Sequence, residues 1–209
     1  MSSDRDAASV GVGPWTGPVP DDPRLDPVLL ADGDRRNVAN RFRYWRTEAI
    51  VAELATQRVR LEVAVENLGH DFNIGSVVRT ANAFNVAAVH VVGRRRWNRR
   101  GAMVTDRYLD IRHHEEPTGL LAHARTAGLT LIGIDNIDGS VALETFTLPR
   151  DCLLVFGTEG EGLSAPMLSA CTAVLAISQA GSTRSINVGA AAAIAMHAWV
   201  RAHVFGQTI

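Results

Sequence analysis

Short apolar runs alternate with segments of helical periodicity from about residue 60 to the end of the chain. Five short runs, either apolar or alternating, predict strands at residues 60–67, 86–93, 129–135, 152–157 and 172–178. Helical spacing predicts helices at residues 74–84, 118–128 and 185–205. Parallel strands need long crossover connections, which helices commonly supply. The alternation therefore predicts an α/β fold, with a mostly parallel sheet and helices on both faces.

The first 60 residues have a different composition. Residues 1–33 contain five prolines with glycine and aspartate between them, and we predict a flexible tail there. Residues 34–60 are rich in arginine, and their apolar spacing predicts a helical extension with one long helix from Asp34 to about Gln57. The main domain is then expected to span residues 61–209.

Hydropathy and cysteine content bear on the cellular compartment. The 209-residue chain has no apolar run near the ~18 residues of a membrane span, and its first residues contain no apolar signal segment. Its two cysteines, Cys152 and Cys171, form neither a disulfide framework nor a metal-type cluster. We therefore expect a cytoplasmic protein with no membrane partner.

Basic residues are unevenly distributed along the chain. The net charge is −1, and all 21 basic residues are arginines. Five lie in "RRRWNRR" (94–100) and five in "RRNVANRFRYWR" (35–46), interleaved with Trp97, Tyr44 and Trp45. The planar guanidinium binds phosphates and aromatic rings stack on bases, so these clusters suit a nucleic-acid partner. Clustering alone is equally compatible with solvated surface arginines.

Three glycine-containing loops follow predicted strands, where open α/β sheets bind their ligands. They lie at residues 70–79, 156–164 and 177–189. A phosphate-binding P-loop needs lysine, which the chain lacks. In "GTEGEG" (157–162), two acidic residues stand where a dinucleotide fingerprint would bind pyrophosphate. The common nucleotide-binding motifs are therefore excluded.

The seven histidines do not predict a metal site. In "HHEE" (113–116), adjacent histidines on a strand point to opposite faces and cannot bind the same ion. His90 lies inside an apolar strand, and we interpret it as a buried histidine with hydrogen-bond partners. We expect no metal cofactor.

A single arginine marks the helix that follows the first strand. An apolar stripe recurs from Ile74 at i, i+3, i+4 and i+7, and Arg79 lies beside it. Asn73, six residues before the arginine, is the predicted N-cap. A surface salt bridge is one explanation of Arg79, and ligand binding is the other.

Together, the three glycine-containing loops resemble the motifs of the SpoU/TrmH-like branch of the SPOUT RNA methyltransferases. The first motif is matched by Asn73, Gly75, Arg79, Thr80, Ala81, Ala83 and Phe84. The second is matched by Gly157, Glu159, Gly162, Leu163 and Ser164. The third is matched by Ile177, Gly181, Ser185, Asn187 and Val188. The motifs occur in the family's order over residues 61–205.

The resemblance implies both a fold and an activity. Such proteins have a C-terminal trefoil knot that binds S-adenosylmethionine, and a homodimer completes their site. The implied reaction is methylation of a ribose 2′-hydroxyl in structured RNA, with tRNA favoured over rRNA because the extension is short. A non-catalytic RNA-binding homologue is an alternative within the family. An unrelated α/β nucleotide-binding protein would require chance motif matches.

The resemblance also implies site residues, carried over by motif position. The implied cofactor-binding residues are Gly157, Glu159, Ile177, Gly181 and Ile186. The residues implied around the methyl group and the ribose are Asn73, Arg79, Glu159, Ser185 and Asn187. The residues expected to bind RNA are Arg94, Arg95, Arg96, Arg99 and Arg100. The small side chains of Gly75 and Ser76 are expected to leave room for the RNA backbone beside Arg79.

The third motif departs from the family pattern at three places. Ser178–Gln179 stands where the family has Pro-Met, Ile186 replaces a leucine and Gly189 replaces the last serine. A missing proline frees one backbone φ angle, which predicts a looser loop at residue 178.

Overall fold

The computed structural model describes residues 11–67, 73–158 and 160–206. The chain divides into two compact units, residues 1–56 and 57–209. The first ten residues of the predicted tail and the predicted site residue Glu159 lie outside the described residues.

Within residues 11–56, the first unit contains two short α-helices, α1 (Pro27–Asp32) and α2 (Thr47–Thr56), and a 3-10 turn at Asn40–Phe42. Proline suits the first position of α1, and Asp26 caps this helix by accepting hydrogen bonds from two backbone amides. Antiparallel bridges join Val12 to Asp34 and Leu25 to Trp45. The predicted flexible tail therefore contains defined structure within residues 11–33.

The prediction of one helix from Asp34 to Gln57 is wrong in its first half. The carboxylate of Asp34 accepts hydrogen bonds from Nε (2.9 Å) and Nη2 (2.7 Å) of Arg36 and from the backbone amide of Tyr44 (3.0 Å). Tyr44 has a φ of 63°, which a right-handed helix does not allow. Contacts to the buried carboxylate thus override the apolar spacing, and the α-helix begins only at Thr47.

The second unit contains a seven-stranded sheet. Its strands are β1 (Val59–Asn67), β2 (Val86–Gly93), β3 (Ile111–His114), β4 (Thr130–Ile134), β5 (Val141–Ala142), β6 (Cys152–Phe156) and β7 (Ala173–Ala176). Their order is β3-β2-β1-β6-β4-β7-β5, and every neighbouring pair is parallel. The predicted parallel sheet is confirmed, and the predicted strands agree with the structure to within two residues. The short strands β3 and β5 were not predicted.

Helices cover both faces of this sheet, as predicted. They are α3 (Ile74–Ala83), α4 (Pro117–Ala127), α5 (Ala165–Ala170) and α6 (Val188–His203). Residues of α3 and α6 pack in one apolar layer, and residues of α4 and α5 pack in the other. β6 is buried along its whole length, which fits its central place. No helix within the described residues is long and apolar enough to cross a membrane.

Candidate functional site

A cavity of about 460 Å³ lies at the carboxyl ends of β4, β6 and β7. The loops after these strands and the segment that leads into α6 form its walls. Parallel strands bring such loops to one edge of the sheet, which is where α/β proteins bind ligands. The volume lies within the range of small-molecule sites.

Most of the predicted cofactor residues line this cavity. The lining includes Gly157, Ile177 and Ile186, and also Ser185 and Asn187, which were predicted to surround the reacting groups. Gly181 is exposed and is not among the lining residues. The structure thus brings the second and third motifs together around one cavity.

Gly157 has no room for a side chain. A Cβ atom there would lie 2.0 Å from the carbonyl carbon of Gly162 and 2.3 Å from the nitrogen of Leu163. Thr158 and Gly162 exchange two backbone hydrogen bonds of 3.0 Å, and Gly162 has a φ of +71°. The loop after β6 therefore turns back tightly, and its backbone forms part of the cavity wall.

Asp135 and Asn136, directly after β4, hold two walls of the cavity in place. Oδ2 of Asp135 accepts a 2.8 Å hydrogen bond from the backbone nitrogen of Leu163. Nδ2 of Asn136 donates a 2.9 Å hydrogen bond to the carbonyl oxygen of Arg184. The sequence analysis missed both residues, although an acid and an amide directly after an apolar strand are a usual signal of a site at this edge.

Glu144 anchors the loop after β7. The backbone nitrogen and the hydroxyl of Ser178 donate hydrogen bonds of 3.0 and 2.9 Å to its two carboxylate oxygens. Slight desolvation acts to raise the pKa of the exposed Glu144, but hydrogen bonds from the backbone and from Ser178 outweigh it and lower this pKa. A proline at residue 178 would have no N–H for this contact. Glu144 therefore restrains the loop at Ser178, the position where the missing proline frees a φ angle.

The side chains that line the cavity suit S-adenosylmethionine. Oε1 of Gln179 is buried and has no hydrogen-bond partner among the described residues, so a ligand N–H would satisfy it. Ile177 and Ile186 provide apolar surface. The carboxylates of Asp135 and Glu161 suit a cationic sulfonium and disfavour a phosphate.

Two asparagines join the first motif to the third. Nδ2 of Asn187 donates a 3.0 Å hydrogen bond to Oδ1 of Asn73. Oδ1 of Asn187 caps α6 by accepting hydrogen bonds from the amides of Gly189 (2.9 Å) and Ala190 (3.3 Å). Asn73 is the N-cap residue of α3, as predicted, but its side chain makes no capping hydrogen bond. Its side chain contacts the start of α6 instead.

The first turns of α3 and α6 are closely packed. A Cβ atom at Gly189 would lie 3.1 Å from Cβ of Ser76, which explains why a small residue suits this position. At Gly75, a Cβ atom would lie 2.7 Å from the backbone nitrogen of Ala102. The prediction that Gly75 is small to admit RNA is therefore wrong, because the chain's own backbone fills that space.

Arg79 lies on the exposed face of α3 that also carries Ser76. Residues three apart share a helix face, and the axial rise between them is ~4.5 Å. Arg79 is therefore about one turn from the contact between Ser76 and α6. Its side chain is exposed and forms no ion pair or hydrogen bond with another described residue. Within the described residues, a surface salt bridge therefore does not explain Arg79.

The predicted RNA-binding arginines lie in the loop after β2, and all five are exposed. Nδ2 of Asn67 holds the loop by donating hydrogen bonds to the carbonyl oxygens of Arg94 (2.5 Å) and Arg96 (3.1 Å). The Arg99 guanidinium lies 5.5 Å from the Trp97 ring centroid. Both residues line a second cavity, of about 700 Å³. Exposed cations beside an aromatic ring suit contacts with phosphates and bases.

The arginines of residues 35–46 are different, because three of them bond within the first unit. Arg36 pairs with Asp34. Nη1 of Arg43 donates to the carbonyl oxygen of Arg36 (2.6 Å), and Nε of Arg46 donates to that of Leu25 (2.9 Å). These three side chains stabilise the unit's own fold.

Two predictions about the histidines agree with the structure: adjacent His113 and His114 point to opposite faces, and buried His90 has hydrogen-bond partners. Nε2 of His113 donates to the carbonyl oxygen of Gly93 (2.7 Å), whereas Nε2 of His114 lies 2.8 Å from Nδ1 of His90 on the other face. Buried His90 also contacts Oε2 of Glu62 through Nε2 (2.7 Å), so both of its ring nitrogens have partners.

The sequence profile of the SpoU rRNA methylase family matches residues 60–197. An uncharacterized tRNA/rRNA methyltransferase of Mycolicibacterium vanbaalenii is 28% identical over 179 residues, which cover 80% of this chain and 56% of that protein. The tRNA (guanosine(18)-2′-O)-methyltransferase of Escherichia coli is 25% identical over 161 residues, which cover 76% of this chain and 69% of that protein. This chain therefore spans just over half the length of the mycobacterial relative.

A solved structure resembles the chain in three dimensions. The SpoU methyltransferase AviRb of Streptomyces viridochromogenes, in complex with the cofactor AdoMet, matches with a TM-score of 0.64 at 26% identity. The match covers 71% of this chain and 63% of AviRb.

Proposed function

Because the chain belongs to the SpoU rRNA methylase family, we propose that it is an S-adenosylmethionine-dependent RNA methyltransferase that modifies a ribose 2′-hydroxyl. The hydrogen bond between Asn73 and Asn187 carries the proposal, because it joins the arginine-bearing helix α3 to a residue that lines the cofactor-sized cavity. The name of the E. coli relative supports tRNA as the substrate over rRNA.

Gly157, Ile177 and Ile186 are the residues proposed to hold the cofactor, and all three line the cavity. Gly181 and Glu159 are further contacts by motif position. The bound cofactor supplies an activated sulfonium methyl group. The protein therefore has to position the ribose and stabilise the charge that develops as one proton leaves.

Arg79 is proposed to stabilise negative charge on the 2′-oxygen. A guanidinium with a pKa above ~12 is a permanent cation and a poor proton acceptor, so electrostatic stabilisation fits it better than general-base catalysis. Asn73, Ser185 and Asn187 supply polar atoms around the ribose. The exposed arginines of residues 94–100 bind the phosphates of the folded RNA.

We also propose a C-terminal trefoil knot and a homodimer whose second subunit completes the site. Large apolar side chains are exposed on and just after α6, namely Ile194, Val204 and Phe205, which supports a subunit interface there. Sedimentation velocity of the purified chain tests the dimer.

Both cysteines are free thiols, which supports a cytoplasmic location.

The activity is tested by incubating the protein with S-adenosylmethionine and separate pools of unmodified tRNA and rRNA, followed by nucleoside mass spectrometry. We expect a 2′-O-methylnucleoside in the tRNA pool.

Arg79→Ala should lower the methylation rate at least about a hundredfold while cofactor affinity stays unchanged, as expected for the loss of one preorganised charge. Arg125→Ala, on α4 at the other face of the sheet, is the matched control.

Each other outcome selects a different function. Product in the rRNA pool alone would identify rRNA as the substrate, and a methylated base would overturn the ribose chemistry. Absence of both product and cofactor binding would favour the non-catalytic RNA-binding homologue. A rate that levels off near neutral pH would argue for a base other than Arg79.

A further inference from the structure

Four titratable side chains meet on the sheet face that α4 covers, and the proposed methyl transfer uses none of them. They are Glu62 of β1, His90 of β2, His114 of β3 and His123 of α4. Strand residues two apart share a face, so Glu62 and His90 lie on the same side as Ala64 and Val92, which pack in the α4 layer. The cofactor cavity and this cluster are therefore built from different residues.

Two imidazole nitrogens converge on one carboxylate oxygen. Nε2 of His90 and Nε2 of His123 each lie 2.7 Å from Oε2 of Glu62. One ligand atom from each residue lies within 4.8 Å of the other two. The side chain of His90 is fully buried, whereas those of Glu62 and His123 are 12% and 21% exposed. The group is thus sheltered but open to solvent on the His123 side.

Two neutral imidazoles and one carboxylate form a donor set that suits a divalent transition metal. Zn²⁺ bonds such nitrogen and oxygen atoms at about 2.0–2.2 Å and accepts a fourth ligand from water. An ion at the centre would take the place of the two N–H protons that now point at the carboxylate. Mg²⁺ is disfavoured because it prefers an all-oxygen, octahedral shell.

His114 is placed to orient His90 for this role. Its Nε2 lies 2.8 Å from Nδ1 of His90, so it can accept a hydrogen bond from a proton on that Nδ1, which leaves Nε2 of His90 free for the ion. On the solvent side, Nη1 of Arg112 lies 3.5 Å from Nδ1 of His123 and has to move when that nitrogen becomes protonated. Arg112 is exposed and pairs with Asp110.

We propose that Glu62, His90 and His123 form a binding site for a divalent transition-metal ion, with Zn²⁺ as the preferred ion. The ion would join β1, β2 and α4 on the face away from α3 and α6, and would stabilise the fold without taking part in methyl transfer. This proposal does not depend on the proposed function.

The site is tested by titrating untagged, metal-free protein with Co²⁺, whose visible absorption reports tetrahedral coordination, and with Zn²⁺ in competition. We expect one ion per chain, displacement of Co²⁺ by Zn²⁺, a higher unfolding temperature with Zn²⁺, and no effect of Mg²⁺. Glu62→Gln and His123→Ala should each weaken binding by at least about a hundredfold, more than loss of an outer-shell partner. His113→Gln, on the adjacent position of β3 but the opposite face, should bind as the wild type does.

Two results would overturn the site. One is a wild-type protein without a saturable Co²⁺ spectrum, and the other is a spectrum that both ligand variants retain. His123 lies on the partly exposed helix α4, so His123→Ala is expected to fold even where the change at Glu62 disturbs the sheet. Circular dichroism of each metal-free variant checks this before the titration.

Discussion

At the scale of single residues, three glycines in the motif segments have distinct physical roles. Gly75 lies against the backbone of the arginine loop, Gly189 against Ser76, and Gly157 against its own loop. The family motif has glycine at residues 75 and 157 and serine at residue 189. It could not predict what fills the space of the missing side chain, because the neighbours come from other parts of the chain.

Gly157→Ala is expected to damage the cofactor site. The added methyl group would lie 2.0 Å from a backbone carbon, and backbone cannot rotate away as a side chain can. We predict at least about tenfold weaker binding of S-adenosylmethionine by calorimetry, since a forced shift in a packed region costs ~1–3 kcal/mol. Gly13→Ala, where the methyl group meets no atom within 4 Å, is the control. Equal affinity in both variants would show that the loop after β6 is not part of the cofactor site.

At the scale of elements, loops of the cavity are held by partners that lie on other elements. Asp135 after β4 binds the loop after β6, and Glu144 between β5 and β6 binds the loop after β7. The sequence predicted the strands and the loops that follow them, because periodicity and glycine content are local. The acidic anchors could not be assigned, since each looks like an ordinary surface residue until the strand order is known.

Glu144→Ala is expected to release the loop at Ser178. Two hydrogen bonds to an exposed carboxylate contribute on the order of 1 kcal/mol, so we predict about three- to tenfold weaker cofactor binding with little change in unfolding temperature. Glu115→Ala, an exposed acid before α4, is the comparison variant. If the two variants bound the cofactor equally well, Glu144 would not be what restrains the loop.

At the scale of the whole molecule, the two units are stabilised by different means. The second unit has two large apolar layers around its sheet. The first unit has few buried apolar side chains, and it folds residues 34–46 around the fully buried carboxylate of Asp34. Burial acts to raise the pKa of Asp34, but hydrogen bonds from Arg36 and from the amides of Arg36 and Tyr44 lower it to about 2.

The first unit should therefore lose stability in acid. A carboxyl whose pKa is lowered by folding stabilises the folded state above its ordinary value of 3.8 and loses this contribution as the pH falls toward 2. The shift corresponds to about 2 kcal/mol. Hydrogen exchange of residues 11–56 should show loss of protection between about pH 4 and pH 2.

Asp34→Asn should remove most of this pH dependence and reduce protection already at neutral pH. Asp21→Asn, at an exposed position of the same unit, serves as the control and should behave as the wild type does. Equal protection of the Asp34 variant and the wild type across the acid range would contradict the proposed role of the buried carboxylate.

The alternation of apolar runs and helices by itself determined the parallel sheet, and the second and third motifs predicted several of the residues that line the cavity. Both are local patterns, because strand and helix periodicity and motif spacing lie within short segments. The tertiary structure alone decided that Asn73 meets Asn187, that Glu62, His90 and His123 converge, and that Asp34 organises the first unit. Such contacts depend on strand order and crossover geometry, which join residues far apart in the chain and leave no local trace in the sequence.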